Sequence, residues 1–200
     1  HGHTNPAGPG YKEKLVETSV SKSYPGREQK IYNGSYIEIP DAPQLRFSDS
    51  FSFQAWIYPT TPEFGLQGLV TKWSSSDGSG YGVFVDEKGS LAVCIGSENS
   101  KDTWVSSGKA LRSETWYFVS VVYDSEEGEV RLYQEPLTMW PRDESRIVTS
   151  QSVNVSKISE NELSLIVAGH WEKEESGKSI IGGYYNGKID NPCLFNRALN

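Results

Sequence analysis

Apolar residues recur along this chain in short runs that alternate with polar ones. In SFSFQAWIY, Phe51, Phe53, Ala55 and Ile57 fall on one side, and Ser52, Gln54, Trp56 and Tyr58 on the other. That is the period of two that an extended chain imposes on its side chains. Pro59 closes the run, because it offers no N–H to a ladder. Further runs follow at 68–73 (GLVTKW), 81–85 (YGVFV), 90–96 (SLAVCIG), 116–124 (WYFVSVVYD), 163–170 (LSLIVAGH) and 185–196 (YNGKIDNPCLFN). Asp86 to Gly89 and Ser125 to Gly128 separate neighbouring runs by four residues ending in glycine, which predicts two hairpins. The run at 116–124 is apolar on both faces and is expected to be a central strand. No stretch of ten residues carries apolar positions at helical spacing, and Ser159 to Glu162 offers one turn at most. Many short strands with turn residues between them predict an all-β sandwich or barrel. Residues 1–12, with Gly2, Pro6, Gly8, Pro9 and Gly10, read as an irregular arm, leaving 13–200 as one β-sandwich domain.

Composition narrows the function more than the fold. Aromatic residues make up 12% of the chain and all hydrophobic residues 36%, so large rings on short strands must supply the core. A formal net charge of −7 argues against nucleic acid as partner, since phosphate binding needs clustered Lys and Arg. No apolar run approaches the ~20 residues a helix needs to span a bilayer, so no membrane segment is expected. Cys94 and Cys193 each lie in a strand-like run and read as buried free thiols; a count of two leaves a disulfide open. The chain starts without Met and stops at FNRALN, and is expected to be a piece of a longer protein.

Three segments carry a family resemblance. YNGSYIEIPDAPQLRFSDSFSFQAWIYP resembles the opening of laminin-G-like, concanavalin A-like jelly rolls. LRSETWYFVSVVYDSEEGEVRLYQ resembles their central hairpin, and NGKIDNPCLFNRALN their closing strand. The resemblance implies a two-sheet antiparallel β-sandwich with Trp56 and Trp116 at core positions. The chain departs from the pattern at Asn191-Pro192, which follow Asp190 where the family usually places an acid. The arm HGHTNPAGPGYKEK also resembles a segment of N,N-dimethylformamidase large subunits. That likeness implies a bacterial, cytoplasmic, iron-dependent amide hydrolase as parent, with its active centre in other domains. No catalytic or iron-binding residue is carried onto this chain.

The residues themselves spell out little chemistry. The Glu-x-Asp-x-x-Glu pattern that places paired carboxylates beside a glycosidic bond is absent, and Asp77-Gly-Ser-Gly80 lacks the spacing of a serine nucleophile elbow. The acids of 124–129 and 172–175 fall at predicted turns, where they serve as solvated charge. Asp41, Asp77 and Asp190 are each suitable single ligands for calcium, without a spaced set of partners. Trp73, Trp104, Trp140 and Trp171 fall at strand ends or in loops, where an indole can stack on a sugar ring or bury against a neighbouring domain. Trp73 with Ser74 to Tyr81, and Trp171 with His170 and Glu172, are the candidate ligand platforms; Trp73, Tyr81, His170 and Trp171 are the candidate binding residues. The expectation is a non-catalytic structural or interaction domain of a larger protein, partnered by that protein's other domains or subunits. A lectin-like carbohydrate-binding module is the alternative.

Overall fold

A computed structural model describes residues 13–18, 31–97, 100–137, 146–173, 177 and 179–200. The arm at 1–12 and Trp140 lie outside these residues. Fourteen strands account for most of the described chain: β1 (Glu13–Thr18), β2 (Ile31–Ile39), β3 (Phe51–Pro59), β4 (Gln67–Trp73), β5 (Gly80–Val85), β6 (Ser90–Ser97), β7 (Ser100–Ala110), β8 (Tyr117–Asp124), β9 (Glu129–Pro136), β10 (Ile147–Ser152), β11 (Leu165–Val167), β12 (His170–Lys173), β13 (Ser179–Gly182) and β14 (Gly187–Phe195). One 3-10 turn, Pro43–Leu45, precedes β3. A seven-stranded sheet runs β1-β2-β11-β4-β5-β6-β7, a five-stranded sheet runs β10-β9-β8-β3-β14, and β12 and β13 form a separate two-stranded hairpin.

The two large sheets bury one face of each strand against the other. Phe51, Phe53, Ala55 and Ile57 of β3 meet Tyr117, Val119, Val121 and Tyr123 of β8, and the opposite layer supplies Tyr81, Val83, Leu91, Val93 and Ile95. Large rings close the middle of the core: Phe47 stacks on Tyr81 at 4.8 Å, and Phe51 lies 5.0 Å from Tyr81. The Tyr81 and Tyr123 hydroxyls that enter this layer are satisfied, Tyr81 donating to the Leu45 carbonyl at 2.9 Å and Tyr123 to that of Val155 at 2.6 Å. As the pattern predicts, β8 is the middle strand of its sheet. Gly89 and Gly128 close the two hairpins with φ of +79° and +62°, values that favour glycine.

Four expectations need correction. The run 163–170 is broken: β11 ends at Val167, Ala168 takes φ +65°, and His170 starts the separate hairpin. Trp56 and Trp116 are only half-buried and sit on the outer side of the five-stranded sheet, since the inward positions of β3 belong to the odd-numbered residues. Trp104 lies within β7, a strand too rich in Ser, Lys and Gly to show as an apolar run. Cys94 is buried as expected, but Cys193 is only partly so; both are free thiols.

Candidate functional site

The outer face of the seven-stranded sheet carries the molecule's second apolar cluster. Register places Thr71, Gly82, Cys94 and Trp104 side by side across β4 to β7, with Phe84, Ala92 and Ser106 in the next row. The small residues make room for the large ones. A methyl group on Gly82 would run into the Phe84 ring, so glycine there lets that ring lie down on the sheet. Trp73 meets Phe84 and Trp104 edge-on at 5.6 and 5.5 Å, and Phe84 sits 4.9 Å from Trp104. The His170 imidazole completes the cluster, 6.0 Å from Trp73 and 5.7 Å from Phe84.

The β12–β13 hairpin covers this cluster, pinned to β4 by the bond from Thr71 Oγ1 to the Gly169 carbonyl at 2.8 Å and that from Gly68 N to the Gly183 carbonyl at 2.9 Å. His170 is 4% exposed. Its Nδ1 lies 3.2 Å from the Trp171 carbonyl, while Nε2 has no hydrogen-bond partner and stands 3.5 Å from Glu172 Oε1. Gly183, at φ +51°, is required beside it, because a methyl group there would overlap the imidazole.

Two depressions flank the cluster. A cleft of about 630 Å³ is lined by Leu66, Asp86, Lys88, Trp104 and Ser106 among others. Its Asp86 carboxylate is engaged, accepting bonds from the Lys88 and Ser90 amides at 2.9 Å and from the Ser106 hydroxyl at 2.6 Å. Trp104, 38% exposed, donates its Nε1–H to Asp102 at 3.1 Å. A second, more polar pocket of about 330 Å³ lies between the Ser74–Ser79 loop, Asn161 and the segment Trp171–Lys173. Trp171 is fixed by its indole N–H bond to the Ser164 carbonyl at 2.9 Å. Asn161 ties the floor together, donating to the Lys72 and Ser79 carbonyls at 3.1 Å. Burial tends to raise the Asp77 carboxyl, but bonds from the Ser79 amide and from the Ser79 and Ser74 hydroxyls outweigh it and hold the group below its ordinary range.

The structure therefore redistributes the candidate residues. It joins the Ser74–Ser79 loop to Trp171 and Glu172 in one pocket, and Trp73 to His170 in one buried cluster. It separates Tyr81 from both, because Tyr81 points into the intersheet core. Trp73 is buried and perpendicular to Trp104, so these two indoles form no flat sugar platform. Phe84 and Ser106 stand in no motif of the sequence, and Asp86 reads there only as a turn residue; the alternation of Asp102, Trp104 and Ser106 along KDTWVSSGKA is the signal that places the last beside Trp104.

The three calcium candidates do not converge. Asp41 is paired with Arg46 and with Lys72, at 2.6 Å, and is already neutralised. Asp77 is bonded to its own loop at 2.9 Å, and Asp190 is exposed on β14. Among the described residues, no three His, Cys, Asp or Glu side chains gather as a metal site. Cys94, buried beside Trp104 in the register, has its thiol pushed up by burial and by the nearby Asp102, so it stays protonated and shielded. Titration of the native chain with a thiol–disulfide exchange reagent should modify Cys193 promptly and Cys94 only after denaturation.

Comparison with known proteins fits this architecture. A family model for the concanavalin A-like lectin/glucanase superfamily, of laminin G type, matches residues 32–135. The chain is 35% identical over its whole length to the N,N-dimethylformamidase beta subunit of Paracoccus aminophilus, and spans 27% of that subunit. The binding domain of Paraclostridial Mosquitocidal Protein 1 superposes with a TM-score of 0.57 at 17% identity, over 96% of this chain and 46% of that one. The Ruminococcus gnavus IT-sialidase CBM40, bound to α2,3-sialyllactose, superposes with a TM-score of 0.56 at 12% identity, over 82% of this chain and 91% of that one. The two structural likenesses, at such identities, speak to fold. With the sheet order, the sandwich core and the match over just more than half its residues, this chain belongs to the concanavalin A-like lectin/glucanase superfamily.

Proposed function

We propose that this domain is a non-catalytic interaction module of a larger, dimethylformamidase-type subunit. The observation that carries the reading is the 35% identity along the entire chain to a region that makes up 27% of such a subunit. The local chemistry supports it. The Asp86 carboxylate of the cleft is committed to backbone amides and a serine, and Trp73 and Phe84 are buried beside the domain's own hairpin, so these groups hold the fold in shape. Whatever amide chemistry the larger subunit performs is then assigned to its other parts.

Carbohydrate binding is the second reading, and one observation favours it. The polar pocket sets an oriented indole, Trp171, beside the hydroxyl-bearing Ser74–Ser79 loop, and a sugar uses both kinds of group. CBM40, of similar fold, is bound to sialyllactose. Calorimetric titration of the chain with sialyllactose and a panel of neutral oligosaccharides separates the two readings. The interaction module should give no dissociation constant tighter than millimolar. A micromolar constant, lost in Trp171→Ala, would overturn it in favour of sugar recognition.

A further inference from the structure

The five-stranded sheet presents an outer face unlike the water-facing side of most antiparallel sheets, where polar residues alternate with the core positions. Here β3 turns Trp56 and Tyr58 outward, β8 turns Phe118 outward, β9 adds Tyr133, and Trp116 immediately precedes β8. All five are half-buried. Trp56 lies 5.4 Å from Phe118, Tyr58 5.4 Å from Trp116, and Phe118 6.0 Å from Tyr133, a continuous aromatic band across three strands.

The band runs on into two of the most exposed apolar side chains of the described residues. Leu137, 62% exposed, is fastened beside Trp116 by its amide bond to the Trp116 carbonyl at 2.7 Å. Val148, 68% exposed, stands opposite Tyr133 on β10. Charges of both signs frame the band. Lys188 lies 5.3 Å above the Tyr58 ring, and Arg146 lies 5.9 Å from the Tyr133 ring and 3.6 Å from Glu135. An aromatic centre with a mixed polar rim is the anatomy of a protein–protein interface. The other large sheet buries its outer Trp73 and Phe84 beside the β12–β13 hairpin; among the described strands none crosses this face.

We infer that this aromatic face docks the domain onto the remainder of the longer polypeptide to which it is tethered. The inference rests on the accessory-domain reading above and gives it a surface. Three candidate occupants differ in what they require. A sugar needs a flat open ring, whereas neighbouring rings here are inclined at 60° and 52°, so the surface is corrugated and suits protein side chains. A second copy would have to bind from solution. A sister domain on the same polypeptide arrives at an effective concentration near millimolar, and a modest interface then suffices to hold it. The chain matches only 27% of a beta subunit, so most of such a polypeptide is there to supply that neighbour.

The test compares two proteins by hydroxyl-radical footprinting: the isolated 200-residue chain, and the native polypeptide recovered with an antibody raised against it. A native mass well above 22.3 kDa is expected. In the longer protein Trp56, Tyr58, Trp116 and Tyr133 should be oxidised several-fold more slowly than in the isolated chain, with Trp104 unchanged. Equal rates at those four residues in a longer protein would overturn the docking face and leave the accessory reading standing. A native polypeptide of 22.3 kDa would overturn both. Sedimentation of the isolated chain supplies the remaining arm: a monomer is expected, and a dimer dispersed by Trp56→Lys would assign the face to a second copy instead.

Discussion

Lys72→Ala should lower the melting temperature of this domain by about 10 °C, in the range expected when one partner of a buried ion pair is removed from a domain of this size. Lys72 is 1% exposed, and its ammonium donates to Asp41 Oδ1 at 2.6 Å and to the Leu163 carbonyl. Arg46 reaches the other side of the same carboxylate, with Nε 3.0 Å from Oδ2. The cluster ties the loop before β3 to β4 and to the segment leading into β11. Truncation removes the cation, leaves the Leu163 carbonyl without that donor and opens a void along the lysine stem. Lys72→Met keeps most of the stem and should lose distinctly less, which separates packing from pairing in one pair of thermal melts.

The same cluster sets a pH response. Hydrogen bonding from Arg46, and then from Lys72, holds the Asp41 carboxyl at about 2, below its ordinary 3.8. A carboxylate whose folded value is depressed adds stability that is complete above the unfolded value and is lost as pH falls through the folded one. Part of the acid-induced loss of stability therefore falls between about pH 4 and pH 2. Asp41→Asn should flatten the stability profile in that window while leaving the neutral-pH fold recognisable by circular dichroism.

The second large effect is expected at Gly80, where an alanine should destabilise by ~3 kcal/mol or more. Gly80 opens β5 with φ +89°, and a methyl group there would overlap the Lys72 carbonyl oxygen and the Asn161 amide. Neither neighbour can retreat easily, since Asn161 also holds Ser79, and the Lys72 carbonyl belongs to the strand beside it. Gly108 is the control. It also has positive φ, +70°, but nothing lies within 4 Å of an added methyl group, so Gly108→Ala should lose only the ~1–2 kcal/mol of backbone strain. Urea unfolding of the two variants, with Trp171 fluorescence reporting the adjoining pocket, tells collision from strain.

The legible part of this molecule is the part where one face is buried. Phe51 to Tyr58 alternate cleanly because the intersheet core takes every second side chain, and the hairpins at Gly89 and Gly128 follow from glycine at the turn. β7 was illegible because its inward positions include Ser107, whose hydroxyl is satisfied by Gln134 at 2.8 Å, and an apolar count passes over such a pair. The run through Leu165 to His170 reads as one strand because nothing in its composition marks the turn at Ala168, which a tertiary bond from its amide to the Leu69 carbonyl holds at 3.0 Å. Trp56 and Trp116 show the converse: a family position implies an interior tryptophan, and the register turns both outward. The site suffers most. Ser74–Ser79 and Trp171 lie far apart in sequence and meet only because the β12–β13 hairpin folds back over β4.

The central claim is that this domain holds and positions other parts of a larger protein and carries out no amide chemistry itself. Incubating the folded chain with N,N-dimethylformamide and following dimethylamine release tests it most directly. The account predicts release indistinguishable from buffer, from a protein that still unfolds cooperatively; release proportional to the concentration of the chain would contradict it.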